Sequence, residues 1–171
     1  SVKDGQAGTI STVFVIGSDV ATTSKDLVFA TATSATGSTI INGEPKDTYT
    51  VYVNGEKKVV PATAAPSDAN AFYTFTVDAN GVYTFTKTTS GVVTGKTITA
   101  YGNYVNIVMS TSPDKVTKDY KAADGIVVID TRTTDEPIES VSAIAATTGT
   151  ITASAVVDDT NSTVSMIFIT A

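Results

Sequence analysis

The sequence contains no cysteine, no histidine and no tryptophan. Without Cys there is no thiol nucleophile, disulfide or thiolate metal site, and without His the commonest general base and zinc ligand is missing. These two absences exclude most hydrolase mechanisms. Charge is sparse and leans to one sign, with 11 basic residues against 17 acidic ones for a net charge of −6. A polyanion partner requires clustered Lys or Arg, so nucleic acid is not expected. No apolar run approaches about twenty residues and no basic amphipathic helix is present, so membrane insertion is not expected either. A Cys-free, Thr-rich, acidic chain suits a bacterial extracellular protein, since a secreted eukaryotic domain more often carries disulfides.

What the chain has in excess is β-branched. Its 171 residues include 32 Thr and 22 Val, while good helix formers such as Leu and Glu are scarce. Branched side chains lose χ1 freedom in a helix and pack well on a pleated surface. The expected fold is therefore mainly β, with antiparallel sandwich or barrel-like sheets, and the length suits one domain or two small ones.

The two ends of the chain resemble each other. Val2, Asp4, Thr9, Ser11 and Phe14 align without a gap on Val156, Asp158, Thr163, Ser165 and Phe168, and Ile10, Val13 and Val15 fall opposite Val164, Ile167 and Ile169. The offset is 154 residues, by subtraction of any pair (158 − 4). A match of this kind is the signature of units that follow one another, with one end of a unit present twice; the alternative is two similar hairpins drawn from a small alphabet.

Periodicity and turn chemistry place the elements. Thr9 to Ile16 and Leu27 to Thr33 read as strands, with turn and capping residues at Gly17 to Asp19 and Thr22 to Asp26. Tyr49 to Val53 and Glu56 to Val60 flank Asn54-Gly55, a strong hairpin signal because a type I′ turn needs positive φ at both central residues. Pro61 to Asn70 reads as a loop. In the next hairpin, a three-residue loop at Ala79-Asn80-Gly81 pairs Val77 with Tyr83 and Phe75 with Phe85, which keeps the aromatics on one face; a two-residue loop would split them. Lys96 to Ala100, Tyr104 to Met109 and Gly125 to Thr131 read as strands, separated by turns at Ser110 to Asp114 and Lys121 to Asp124. Ile126 to Ile129 is apolar on both faces and so belongs in a central strand. Between Thr134 and Ala146, apolar Ile138, Val141, Ile144 and Ala145 recur at helical spacing behind an acidic, Pro-containing first turn, and a short helix is expected over about 135–147. A final hairpin joins Thr150 to Val157 and Thr163 to Thr170. Two β-subdomains are expected, 1–90 with hairpins over 49–60 and 72–87, and 91–171 with the helix and the C-terminal hairpin; a single domain is the alternative.

Candidate chemistry is thin. Asp78-Ala79-Asn80-Gly81 resembles the opening of a calcium loop but lacks the distal Glu, and hairpin register explains each residue. Asp158-Asp159 with Asn161, and Asp114 with Asp119, suit turn chemistry better than chelation. Asp130 and Arg132, with Asp135 and Glu136, read as strand-end and helix N-terminal charges rather than a hydrolase pair. Asn161-Ser162-Thr163 fits a glycosylation triplet and carries little weight. Among the Tyr residues, Tyr49, Tyr52, Tyr101 and Tyr104 could form a ring ladder for sugars, with core packing as the default.

Gly125-Ile-Val-Val-Ile-Asp-Thr-Arg132 followed by a short helix, Ala153 to Asp159, Val164 to Ile169, and Asn80 to Phe85 leading into Thr97 to Tyr104 together resemble the ectodomain repeats of bacterial surface proteins that carry S-layer homology domains. The resemblance covers most of the chain on loose turn and strand motifs. It implies an outward-projecting segment of a cell-surface protein and transfers no catalytic residue; the three-helix module that holds the cell-wall polymer in such proteins is not recognisable here. The expectation is a non-catalytic structural or spacer unit of a Gram-positive surface protein, one of several in tandem, located at the cell surface or cell wall, with neighbouring units and cell-wall or host glycan as partners. A glycan- or host-protein-binding adhesion module is the alternative. No catalytic, cofactor-binding or metal residue is assigned, and no cofactor is expected.

Overall fold

The computed structural model describes residues 26–171 except 133–136, 139–140, 142–143 and 145–150. The segment 1–17, with the strand expected from Thr9 to Ile16, lies outside the described residues, as do Asp135 and Glu136. The fold is mainly β and consists of two sheets. The first holds β1 (Val28–Ala30), β2 (Gly37–Ile41), β3 (Glu44–Val53), β4 (Glu56–Pro61), β5 (Ala71–Val77) and β6 (Tyr83–Lys87). The second holds β7 (Val92–Tyr101), β8 (Tyr104–Ser110), β9 (Val116–Asp130), β10 (Pro137–Ile138), β11 (Ile151–Asp158) and β12 (Thr163–Ile169).

In the first sheet β3 pairs with β4 along one edge and with β2 and then β1 along the other; β5 and β6 continue beyond β1. Its far ends meet at a bridge between Ala62 and Tyr83, where Thr63 N–H donates to Tyr83 O at 2.9 Å. In the second sheet the order β9-β12-β11-β7-β8 returns to β9 through the β8–β9 ladder, which closes a five-stranded barrel. Every ladder is antiparallel except β9 with β12, which is parallel.

Turn chemistry sets the hairpins as expected. Asn54 and Gly55 take φ of 52° and 85°, and Val53 pairs with Glu56. The Asn54 side chain also reaches beyond its own turn. Its Oδ1 accepts from Leu27 N at 2.9 Å and its Nδ2 donates to Asp26 Oδ1 at 3.0 Å, which ties the entry to β1 to the turn. In the β5–β6 hairpin, Val77 opposes Tyr83 and Phe75 opposes Phe85, the register that keeps the aromatics on one face. Gly81, at φ 79°, carries the left-handed residue of a type I turn with a bulge. A hairpin not expected from the sequence, β2–β3, turns at Asn42-Gly43 with φ of 53° and 82°, the same Asn-Gly signal.

Alternation within each strand separates three cores. Val28 and Ala30 face the first sheet's interior with Val51, Val53 and Tyr73. Val128, Ile167 and Ile169 face the barrel interior with Val105, Ile107 and Tyr120. The intervening residues, Phe29, Tyr52 and Phe72 from the first sheet and Ile129 and Phe168 from the barrel, form with Leu27 a third cluster that joins the sheets. Phe168 stacks on Phe29 with ring centroids 4.0 Å apart and meets Tyr52 edge-on at 5.2 Å. The run Ile126 to Ile129 is thus apolar on both faces because Val128 and Ile129 serve different cores.

Three expectations need correction. The strand over Leu27 to Thr33 is limited to Val28–Ala30. Lys121 to Asp124 is part of β9 rather than a turn: Lys121 lies opposite Tyr104 and Thr163, and the local turn signal yields to pairing on both edges. Pro137 and Ile138, expected in the first helical turn, form β10 against Ile129 and Val128. Pro suits this place because a short edge strand can spare a donor. Of the helix expected over 135–147, Val141 and Ile144 are helical and buried in the barrel core, Pro137 and Ile138 are strand, and the remaining positions lie outside the described residues.

Candidate functional site

The acidic candidates are occupied by turns. Asp78 Oδ1 accepts from the backbone N–H of Asn80 and of Val82, both at 2.9 Å. Asp158 Oδ1 accepts from Thr160 N at 2.9 Å and Asn161 N at 3.2 Å, and its Oδ2 accepts from Asn161 Nδ2 at 2.7 Å. The Asn161 hydrogen bonds, chiefly, hold the Asp158 carboxyl below its ordinary value. Asp159 faces the other way, accepting from Tyr120 Oη at 2.6 Å and Lys118 Nζ at 3.0 Å, and is lowered by the same two partners. Asp114 stands in the turn before β9, whereas Asp119 lies on β9 opposite Asn106, so their closeness in sequence does not make a joint site. Among the described residues no three acidic side chains gather as a metal centre would require.

Asp130 does not form a carboxylate pair with any described residue. Its oxygens accept from Arg132 Nε at 2.9 Å and from an Arg132 terminal nitrogen at 2.7 Å, a bidentate fork that lowers the Asp130 carboxyl and raises the guanidinium. A general acid would need the opposite shift.

The tyrosines divide sharply. Tyr49 and Tyr52 are buried, the first in the interior of the first sheet and the second in the shared aromatic cluster. Tyr101 and Tyr104 are 47% and 43% exposed and lie directly opposite each other at the end of the β7–β8 hairpin. Their rings are within 14° of parallel, with centroids 5.8 Å apart. Strand alternation sends Tyr101, Thr99, Tyr104, Asn106, Lys121 and Asp119 to the outer surface of the barrel, while Ile98, Ala100, Val105, Ile107 and Tyr120 fill it.

Register orders these outer residues into rows. Tyr101, Tyr104 and Lys121 form one, and Thr99, Asn106 and Asp119 form the next. Asn106 Nδ2 donates to Asp119 Oδ1 at 2.7 Å, which fixes the planes of both groups. Partial desolvation, and then a hydrogen bond with Asp119, push the Tyr101 phenol above its ordinary value. This face offers two exposed rings beside an amide, a carboxylate, a hydroxyl and an ammonium. Sequence reasoning named both tyrosines but not their polar row; the missing signal was the register that brings residue 119 beside residue 106.

Comparison of the chain with protein-family models, with curated proteins and with solved structures finds no match.

Proposed function

We propose that this chain is a non-catalytic structural unit of a bacterial cell-surface protein, one of several arranged in tandem. The observation that carries this reading is how the match between the chain's ends falls on the barrel. In β12 the side chains of Val164, Ile167, Phe168 and Ile169 are fully buried, and the residues aligned with them are Ile10, Val13, Phe14 and Val15. Ser162 has φ 52°, a conformation that favours glycine, and the aligned residue is Gly8. Asp158 organises the β11–β12 turn through its carboxylate, and Asp4 stands at the same place. Two unrelated hairpins that share only a Thr- and Val-rich alphabet would have no reason to agree at the turn acid, the left-handed position and the four buried positions together.

A strand of this kind has no independent stability. β12 lies between β9 and β11, with one face on the barrel interior and one on the shared aromatic cluster, and the proposal assigns residues 1–17 to the end of a preceding unit. The aromatic cluster between the sheets suits a spacer, because it couples two small β-units that would otherwise be separately marginal. Limited proteolysis of the parent protein tests the proposal. Resistant fragments of about this chain's mass in series are the expected outcome; a parent with no second unit around this one would overturn it. A second reading, an adhesion module for glycan, is favoured by the exposed Tyr101–Tyr104 pair.

A further inference from the structure

We infer that the outer face of β7, β8 and the first half of β9 binds an uncharged polysaccharide, with Tyr101 and Tyr104 as a stacking platform and Thr99, Asn106 and Asp119 as partners for its hydroxyls. The other aromatic pairs among the described residues are bound to a core: Phe75 and Tyr83, for example, pack against the interior of the first sheet. Tyr101 and Tyr104 belong to none of the three buried clusters and leave almost half of their surface in water. Two exposed rings beside fixed polar groups combine the apolar surface and the hydrogen-bonding groups that a binding site needs.

The geometry suits a sugar. The apolar C–H face of a pyranose lies flat on an aromatic ring, and the two rings, stacked nearly parallel at 5.8 Å and each almost half exposed, leave such surface open beside the polar row. Sugar hydroxyls both donate and accept. Asn106 gives one N–H to Asp119 and retains a second N–H and its amide oxygen, while Thr99 adds a hydroxyl on the adjacent strand. Charge chooses among occupants. Lys121 and Asp119 lie in neighbouring rows and offset each other, so the face selects neither a polyanion nor a polycation. A neutral glycan chain remains.

Titration of the full chain with soluble hexasaccharides of β-1,4-linked glucose, mannose and N-acetylglucosamine, followed by calorimetry and by amide chemical shifts, tests the site. At least one is expected to bind, with shifts centred on Tyr101, Tyr104 and Asn106. Tyr101→Ala and Tyr104→Ala are each expected to weaken it by about tenfold or more, while Tyr104→Phe, which keeps the ring, retains most of the affinity. Thermal midpoints of these variants should stay near the parent value, and Ile40→Ala, a 68% exposed apolar position on the β2–β3 hairpin, should bind as the parent does. The site is overturned if none of the three sugars binds, if the alanine variants bind as tightly as the parent, or if the tyrosines instead drive a concentration-dependent self-association that Tyr101→Ala abolishes. None of these readouts depends on whether the chain is a repeated unit.

Discussion

At the scale of single residues, the fold depends on a few polar groups that each satisfy several backbone atoms. Tyr73 is buried, and its hydroxyl accepts from Asp68 N at 2.7 Å and donates to Asp68 O at 2.8 Å. Tyr73→Phe leaves both backbone groups short of a partner and is expected to cost about 1–3 kcal/mol, read as a lower denaturant midpoint at constant slope. Gly81 has open space around it, so Gly81→Val loses only what its left-handed backbone costs, about 1–2 kcal/mol. Gly55 differs: a Cβ there would sit 3.1 Å from Val127 Cγ1, across the boundary between the sheets. Gly55→Val should therefore be the more damaging of the two in a side-by-side thermal melt. Equal losses would contradict the packing described for the Asn54-Gly55 turn. The tyrosines show where residue-level reading stops. Tyr49, Tyr52, Tyr101 and Tyr104 all sit in strands rich in Thr and Val, and only the positions of neighbouring strands make two of them core and two of them surface.

At the scale of elements, hairpins were legible where the turn demanded special residues. Asn54-Gly55 and Ala79-Asn80-Gly81 carry their φ requirements in their side chains, and the aromatic face settled the register of the second. The same Asn-Gly signal stood at Asn42-Gly43. The first part of β9 was hidden because Lys121, Ala122, Ala123 and Asp124 have little preference for strands; Lys121 is held between Tyr104 of β8 and Thr163 of β12, Ala122 pairs with Val164, and Ala123 and Asp124 fall in the register shift before Val127. Pro137 was misleading for the opposite reason, since its role in an edge strand imitates a helix start. The element on which most depends is β12. Phe168→Ala removes the ring shared by Phe29, Tyr52 and Phe72 and is expected to destabilise by about 3–5 kcal/mol. Both sheets should lose protection from hydrogen exchange together; loss confined to the barrel would contradict the joint core.

At the scale of the whole molecule, charge sets how stability responds to pH. The folded state holds the carboxyls of Asp130, Asp158 and Asp159 below their ordinary range. A depressed acid contributes stability above its unfolded value, near pH 3.9, and loses that contribution as pH falls through the lower folded value. Burial, followed by the hydrogen bond to Asp159, raises the Tyr120 phenol; that contribution is present below about pH 10 and is lost as pH rises through the folded value. No His titrates between them. The thermal midpoint is expected to be level from about pH 5 to 9 and to fall on either side, with the alkaline fall shallower in Tyr120→Phe.

The array reading, too, belongs to this scale, because it assigns residues 1–17 to a neighbouring unit. Calorimetry of the chain extended at its N-terminal side by one further unit of the parent, with and without Phe14→Ala, tests it most directly. The expected result is that Phe14→Ala lowers the stability of the added unit by about the 3–5 kcal/mol that Phe168→Ala costs this one, and leaves residues 26–171 unaffected. An extended chain in which Phe14→Ala changes nothing would contradict the reading.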